Sequence, residues 1–120
     1  AVSEELGLDR VFLAAPSSSA ARLQRAVEVS RGFVYAVSTM GITGARADVD
    51  AAARGVVSRL REAGSTSACV GLGISTADQV RDVLEYADGA IVGSRLVTAL
   101  AEGGVSAVAS AAAELAAGTA

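Results

Sequence analysis

The sequence predicts an α/β chain built on a parallel sheet, and three observations carry that prediction. Four short apolar runs recur along the 120 residues, each unbroken rather than alternating, as in parallel strands buried on both faces. Segments with helical spacing of apolar residues separate them, the order that produces βαβ units. The side chains are small. Against 27 alanines and 13 glycines stand only four aromatics and no Trp, so helices must press close against strands, and a large aromatic core is ruled out.

Val11-Phe12-Leu13-Ala14-Ala15 is the first β-prone run, and Pro16 stops it. Ser17-Ser18-Ser19 offers N-caps for a helix over residues 20–30, with Leu23, Ala26 and Val27 on one face. Arg31-Gly32 breaks that helix, and Phe33-Val34-Tyr35-Ala36-Val37 is the second strand. Residues 38–47 then form a βα loop longer than most, with two glycines and little periodicity. Such loops are usually functional, and a mobile lid is expected here. A helix over 48–62 turns Val49, Ala52, Ala53, Val56, Val57 and Leu60 to one side, and Ala63-Gly64 ends it. Ala68-Cys69-Val70-Gly71-Leu72 is the third strand. Ser75 or Thr76 caps the next helix, which runs to Tyr86 and packs through Val80, Val83 and Leu84. Asp88-Gly89 turns into the fourth strand, Ala90-Ile91-Val92. A short helix over 95–101, a break at Glu102-Gly103-Gly104 and an Ala-rich helix over 105–117 complete the chain. At the front, Glu4-Glu5-Leu6-Gly7-Leu8 reads as a last helical turn closed by Gly7, as in a piece cut from a longer protein. No linker interrupts residues 1–120, which form a single unit.

Composition excludes several classes of function. Hydrophobic residues make up 52% and charged residues 19%, so the chain is not disordered. Net charge is −3, all ten cations are Arg spread singly, and no basic stripe marks a nucleic-acid partner. No apolar run reaches the ~20 residues that cross a bilayer, and no signal-peptide pattern opens the chain, so a cytoplasmic protein without a membrane partner is expected. The absence of His removes Ser-His-Asp and Cys-His chemistry and the common zinc spacings. No metal or other cofactor is expected. Cys69, alone and inside an apolar run, is expected to be an inert buried thiol.

Two architectures fit the elements: an open doubly wound sheet of four strands, or half of an eight-stranded (β/α) barrel, which needs about 250 residues to close. In either, glycines follow strands two, three and four: Gly41 and Gly44, Gly71 and Gly73, then Gly93. These positions meet at the carboxyl edge, where ligands bind. Glycine lets backbone N–H groups approach an anion, and Gly93-Ser94 adds a helix N-terminus and a hydroxyl. The implied ligand is a phosphate monoester, bound without Lys in a chain that has none. Gly71-Leu72-Gly73-Ile74-Ser75-Thr76 lacks the third glycine of a dinucleotide fingerprint. Tyr35 is the large polar aromatic near this edge, placed to line a pocket for a planar substrate. Arg46 and Arg95 are nearby and expected to be solvated.

Taken together, these residues resemble a known family. Phe33-Val34-Tyr35-Ala36-Val37-Ser38 followed by Met40-Gly41-Ile42-Thr43-Gly44-Ala45 is similar to the sixth strand and loop of the tryptophan synthase alpha chain. Asp9-Arg10-Val11-Phe12-Leu13-Ala14-Ala15-Pro16 is similar to that family's fifth strand, Gly71-Leu72-Gly73-Ile74-Ser75 to its seventh strand end and Ile91-Val92-Gly93-Ser94 to its eighth. The match is collinear over the whole chain. It implies strands five to eight of a (β/α)8 TIM barrel: four βα units, parallel strands and an extra C-terminal helix.

The resemblance also implies roles. Tyr35 lies beside the substrate indole, and Leu72 stands where a pocket Phe is frequent. Thr43 steadies a catalytic aspartate when the lid closes, Gly44 is near the glycerol phosphate, and Gly73, Gly93 and Ser94 donate to the phosphate. The family cleaves indole-3-glycerol phosphate to indole and glyceraldehyde 3-phosphate and passes indole to a pyridoxal-phosphate beta chain. Its general acid–base glutamate and the aspartate partner of the indole nitrogen belong to the second strand and its loop, which this sequence lacks. No carboxylate here stands at a strand's carboxyl end, so no catalytic residue is expected. The expected function is therefore that of an inactive half of a lyase subunit, holding phosphate and indole. A self-associating structural half-barrel and an independent phosphate-sugar binding module are the alternatives.

Overall fold

The structure is a computed structural model that describes residues 2–37, 46–65, 67–71 and 73–119, with side chains omitted for 46–50. The expected lid at 38–47 lies outside the described residues, except that its last two residues belong to a helix. The order is α1 (Val2–Glu5), β1 (Leu13–Ala14), α2 (Ala20–Val29), β2 (Val34–Val37), α3 (Arg46–Glu62), β3 (Ala68–Gly71), α4 (Ala77–Leu84), β4 (Gly89–Ala90) and α5 (Ser94–Ala116), closed by a 3-10 turn, Ala117–Thr119.

Local chemistry accounts for the boundaries. After α1, the N–H of Gly7 donates to Glu4 O at 3.2 Å and that of Leu8 to Ser3 O at 2.8 Å, with Gly7 at φ +71°. This is the glycine-closed helix end expected from the sequence. Ser19 caps α2 by accepting from Arg22 N–H at 3.2 Å. Thr76, rather than Ser75, caps α4: its hydroxyl accepts from Gln79 N–H while Gln79 Oε1 accepts from Thr76 N–H, each at 3.2 Å. That helix ends at Leu84, short of Tyr86, and α3 begins two residues earlier than its apolar periodicity indicates.

All four strands are parallel, in the spatial order β1-β2-β3-β4. A doubly wound sheet reverses its order at a switch point; this one advances in a single direction, as a barrel does. Right-handed crossovers that all advance one way put every helix on the same face. The register shows it. Ala14, Ala36 and Val70 lie in one row with Ala90; the first three are buried and Ala90 packs against them. They join Leu23 and Ala26 of α2, Val56, Val57 and Leu60 of α3, and Val80 and Val83 of α4.

The alternate row, Leu13, Tyr35, Cys69 and Gly89, lies outside that core. Leu13 is 66% exposed, and Tyr35 and Cys69 are half-buried. The expectation of a sheet buried on both faces is therefore corrected: helices cover one face only. Of the inner-face residues, Val37 and its partner Gly71 depart from this pattern and are buried. Strand pairing is also shorter than the apolar runs, two residues in β1 and β4, because a flanking strand on the outer side of each is absent among the described residues. The Cα radius of gyration, 15.3 Å, exceeds the about 13.6 Å of a compact 120-residue domain.

Helix α5 is two helices in effect. Gly104, at φ +72° and ψ −162°, breaks it where the sequence places Glu102-Gly103-Gly104. Arg95 and Glu114, which a straight helix would hold roughly 28 Å apart, come within 3.8 Å as an ion pair. The stretch Ser94–Thr119 has the length and mean hydropathy (1.5) of a membrane span. Because it doubles back at Gly104, neither half reaches the ~30 Å of a hydrocarbon core.

Small residues permit close approach at two further points. A Cβ on Gly118 would meet Ala77 O and lie 2.9 Å from Val80 Cβ, so the C-terminal turn sits directly on α4. A Cβ on Gly89 would lie 2.8 Å from Cys69 Sγ. The Cys69 thiol is half-buried rather than fully buried, and its pKa is raised, first by burial and then by the negative charge of Asp88. Asp88 is held in turn: its Oδ2 accepts from Ala68 N–H at 2.8 Å and lies 3.4 Å from Arg61.

Two outcomes follow from this packing. Gly118→Val forces the C-terminal turn off α4 and lowers the urea midpoint, read by far-UV circular dichroism, by the equivalent of about 1–3 kcal/mol. An unchanged midpoint would show that the turn is not pinned there. As for Cys69, raising the pH ionises the unfolded thiol before the folded one. The unfolded state then binds fewer protons, so stability falls as pH rises through the ordinary thiol range. A Cys69→Ser variant lacks that fall, and identical pH profiles for the two proteins would contradict the assignment.

Candidate functional site

The carboxyl ends of β2, β3 and β4 converge on one cavity of about 290 Å³, lined by Tyr35, Gly73, Ile74, Ser75, Ile91, Gly93, Ser94 and Arg95. Four of the seven residues singled out from the sequence thus share one site. The other three, Thr43, Gly44 and Leu72, lie outside the described residues, as does the Arg46 side chain. A smaller hollow of about 90 Å³ opens at the opposite, amino-terminal edge beside Gly32, Phe33 and Gly64, too small for a phosphate ester joined to a bicyclic ring.

Each glycine has its own part. Gly93 is the N-cap of α5, and its carbonyl accepts from Leu96 and Val97 N–H at 3.0 and 3.1 Å. The first-turn N–H groups of that helix have no intrahelical acceptor, and the positive end of its dipole faces the same way. A Cβ on Gly93 would meet nothing within 4 Å, so the position opens onto free space that a side chain would occupy. Gly73, likewise open, sits at φ +78°, a conformation other residues adopt only with strain. Ser94 is exposed beside Gly93 and adds a hydroxyl. These donors suit a phosphate dianion.

Gly71 serves differently from Gly73, although the sequence reading grouped them. A Cβ there would overlap the Tyr35 phenol, so its absence is what lets the ring lie across β3 toward the cavity. Ser75 lines the cavity but is engaged elsewhere: its N–H and hydroxyl donate to Gln79 Oε1 at 2.6 and 3.2 Å. It belongs to the cap of α4.

Two lining features escaped the sequence reading. Ile74, 5% exposed, and Ile91 give the cavity an apolar wall, a part no spacing rule assigns to them. Arg95, expected to be solvated, has a side chain only 35% exposed and pairs with Glu114. Its position next to Ser94 was visible in the sequence; the partner was not, because it arrives through the Gly104 fold-back. Among the described residues no Asp or Glu lines the cavity, and no cluster of His, Cys, Asp and Glu is placed to hold a metal. Asp88, the carboxylate most involved in the sheet, bonds at the start of β3, the far edge from the cavity.

Comparison with known proteins fits this geometry. A family model described as "Tryptophan synthase alpha chain" matches residues 1–119. The chain is 73% identical over 118 residues to the tryptophan synthase alpha chain of Leifsonia xyli subsp. xyli, covering 98% of this chain and 45% of the relative. It is 55% identical to that of Mycobacterium avium, again over 98% of this chain and 44% of the relative. Among solved structures, tryptophan synthase from M. tuberculosis in an aminoacrylate-bound form superposes with a TM-score of 0.83 at 45% identity, over 98% of this chain and 43% of that one. The chain spans less than half the length of these relatives, and its sheet is accordingly half of their barrel. With the fold, the glycine-lined edge and the collinear identity in agreement, this chain belongs to the tryptophan synthase alpha chain family.

Proposed function

We propose that the chain is the carboxyl-terminal half of an alpha subunit, the part that holds the phosphate and the indole of indole-3-glycerol phosphate. The complete subunit cleaves that substrate to indole and glyceraldehyde 3-phosphate. The observation that carries the reading is the convergence of Gly73, Gly93, Ser94 and the first turn of α5 with Tyr35 on one cavity. The phosphate takes the N–H groups of Gly73, Gly93 and Ser94 and the Ser94 hydroxyl. The indole lies along Tyr35 and Leu72, Gly44 serves the glycerol phosphate, and Thr43 serves the catalytic aspartate supplied by the other half. Breaking the carbon–carbon bond also needs a general acid and base, and the cavity lining offers no carboxylate among the described residues. Alone, the chain binds without catalysing. In the cytoplasm its complete form hands indole to a pyridoxal-phosphate beta chain and needs no cofactor of its own.

Supplying the missing carboxylates tests this. Mixing the chain with the amino-terminal half of the Leifsonia relative should yield indole from indole-3-glycerol phosphate, where neither part alone does. Gly93→Val, which fills the anion's space, should abolish that yield and the binding of glycerol phosphate to the chain. Cleavage by the chain alone, or unchanged affinity in Gly93→Val, would overturn the proposal.

A second reading, self-association, rests on the bare face of the sheet. Leu13 is 66% exposed on it, and burying such a side chain fully is worth about 1.5–3 kcal/mol. A second copy offers the same curvature and free edges, so a two-fold pair covers both faces. Such a dimer repeats the binding half and stays inactive. Sedimentation at micromolar concentration should return a dimer, and a compact monomer there would exclude it.

A further inference from the structure

The one cation that lines the cavity among the described residues is Arg95, and its present engagement is loose. Its guanidinium stands 3.8 Å from Glu114 Oε2, within ion-pair range but beyond a hydrogen bond. Arg10, Arg54, Arg59, Arg61 and Arg81 each donate hydrogen bonds of 3.2 Å or less. The Arg95 guanidinium donates none among the described residues, as is true of the surface residues Arg22, Arg25 and Arg31, but only Arg95 of these lines the cavity. The same residue forms a wall between two spaces. On one side is the phosphate cavity. On the other is a hollow of about 430 Å³ inside the fold-back of α5, whose walls include Glu102 and Glu114. A carboxylate opposes a phosphate dianion, and the arginine between them offsets it.

We propose that Arg95 is a specificity-determining residue of the phosphate site, exchanging Glu114 for the incoming phosphate. The inference rests on the reading that this cavity takes a phosphate ester. With the site empty, Glu114 holds the guanidinium at the cavity wall. When a dianion arrives, the guanidinium turns its unused N–H groups to the phosphate oxygens, a charge-assisted pairing stronger than the loose one it leaves. Backbone donors recognise the shape of the anion, whereas Arg95 reads its charge. The chain therefore prefers a dianionic phosphate ester over a monoanionic ester of the same shape, such as a sulfate.

Titrating the full chain with glycerol 3-phosphate and with inorganic phosphate, followed by phosphorus NMR, tests the exchange. Arg95→Gln should weaken both about tenfold or more, the scale of a charged hydrogen bond. Arg95→Lys, which keeps the charge, should recover most of that loss, and a merely structural role predicts no such recovery. Glu114→Gln should tighten binding about two- to threefold by releasing the guanidinium. Full affinity in Arg95→Gln while Gly93→Val binds nothing would overturn the role of Arg95 and leave the phosphate site standing. Unaltered affinity in Gly93→Val, or none in the unsubstituted chain, would remove the site itself. Binding by Glu114→Gln no tighter than by the original chain would overturn the exchange.

Discussion

The handedness of the strand–helix–strand crossover governs the rest of this structure. Each of three crossovers advances the sheet by one strand in the same direction, β1 to β2 to β3 to β4. Since parallel crossovers are right-handed, every helix falls on one face. The outward row, Ala14, Ala36, Val70 and Ala90, is covered, and the inward row, Leu13, Tyr35, Cys69 and Gly89, is left to something else. In a closed barrel that something is the opposite set of strands. The same constraint collects the strands' carboxyl ends at one edge, where the loops after β3 and β4 meet.

Within that frame, glycine sets how closely things approach. Gly71 admits the Tyr35 ring, Gly89 admits the Cys69 sulfur, and Gly118 seats the C-terminal turn on α4. At Gly93 and Gly73 the missing Cβ faces open space instead. The first three positions are filled by the protein itself, and the last two open onto the cavity at the strands' carboxyl ends. The packing role of the first three is invisible in the sequence, because it depends on which side chain or turn arrives from elsewhere in the chain.

Much was nevertheless legible beforehand. Four strands separated by helices, the breaks at Gly7, Gly64 and Gly104, and the convergence of Tyr35, Gly73, Gly93 and Ser94 all follow from local rules of spacing and capping. What escaped depended on contacts distant in the chain. The burial of both sheet faces was inferred from unbroken apolar runs, yet such runs are equally what an inner barrel face requires when its covering half is elsewhere. Arg95 looked solvated because Glu114 lies nineteen positions on, and only the reversal at Gly104 brings them together. Cys69 was expected to be fully buried and inert; its place on the inward row leaves it half-buried, while burial together with Asp88 raises its pKa and so disfavours the reactive thiolate.

The charge layout is compatible with the proposed division of binding and chemistry between two halves of one barrel. A phosphate dianion held by backbone N–H groups and a helix N-terminus gains from every carboxylate kept at a distance, since opposition between like charges is strong where water is excluded. Here Glu114, in the hollow beyond the wall, is paired with Arg95, and Asp88 is spent at the far edge of β3. An acid–base carboxylate for carbon–carbon cleavage needs the reverse setting: an apolar pocket that raises its pKa, far enough from the phosphate to escape its field. With the substrate proposed above, the molecule's own length supplies the distance, because its glycerol phosphate and its indole are opposite ends. On the proposed function, the strands facing the phosphate strands are therefore the natural position for the acid–base carboxylates, and recognition and proton transfer fall to different halves of the sheet.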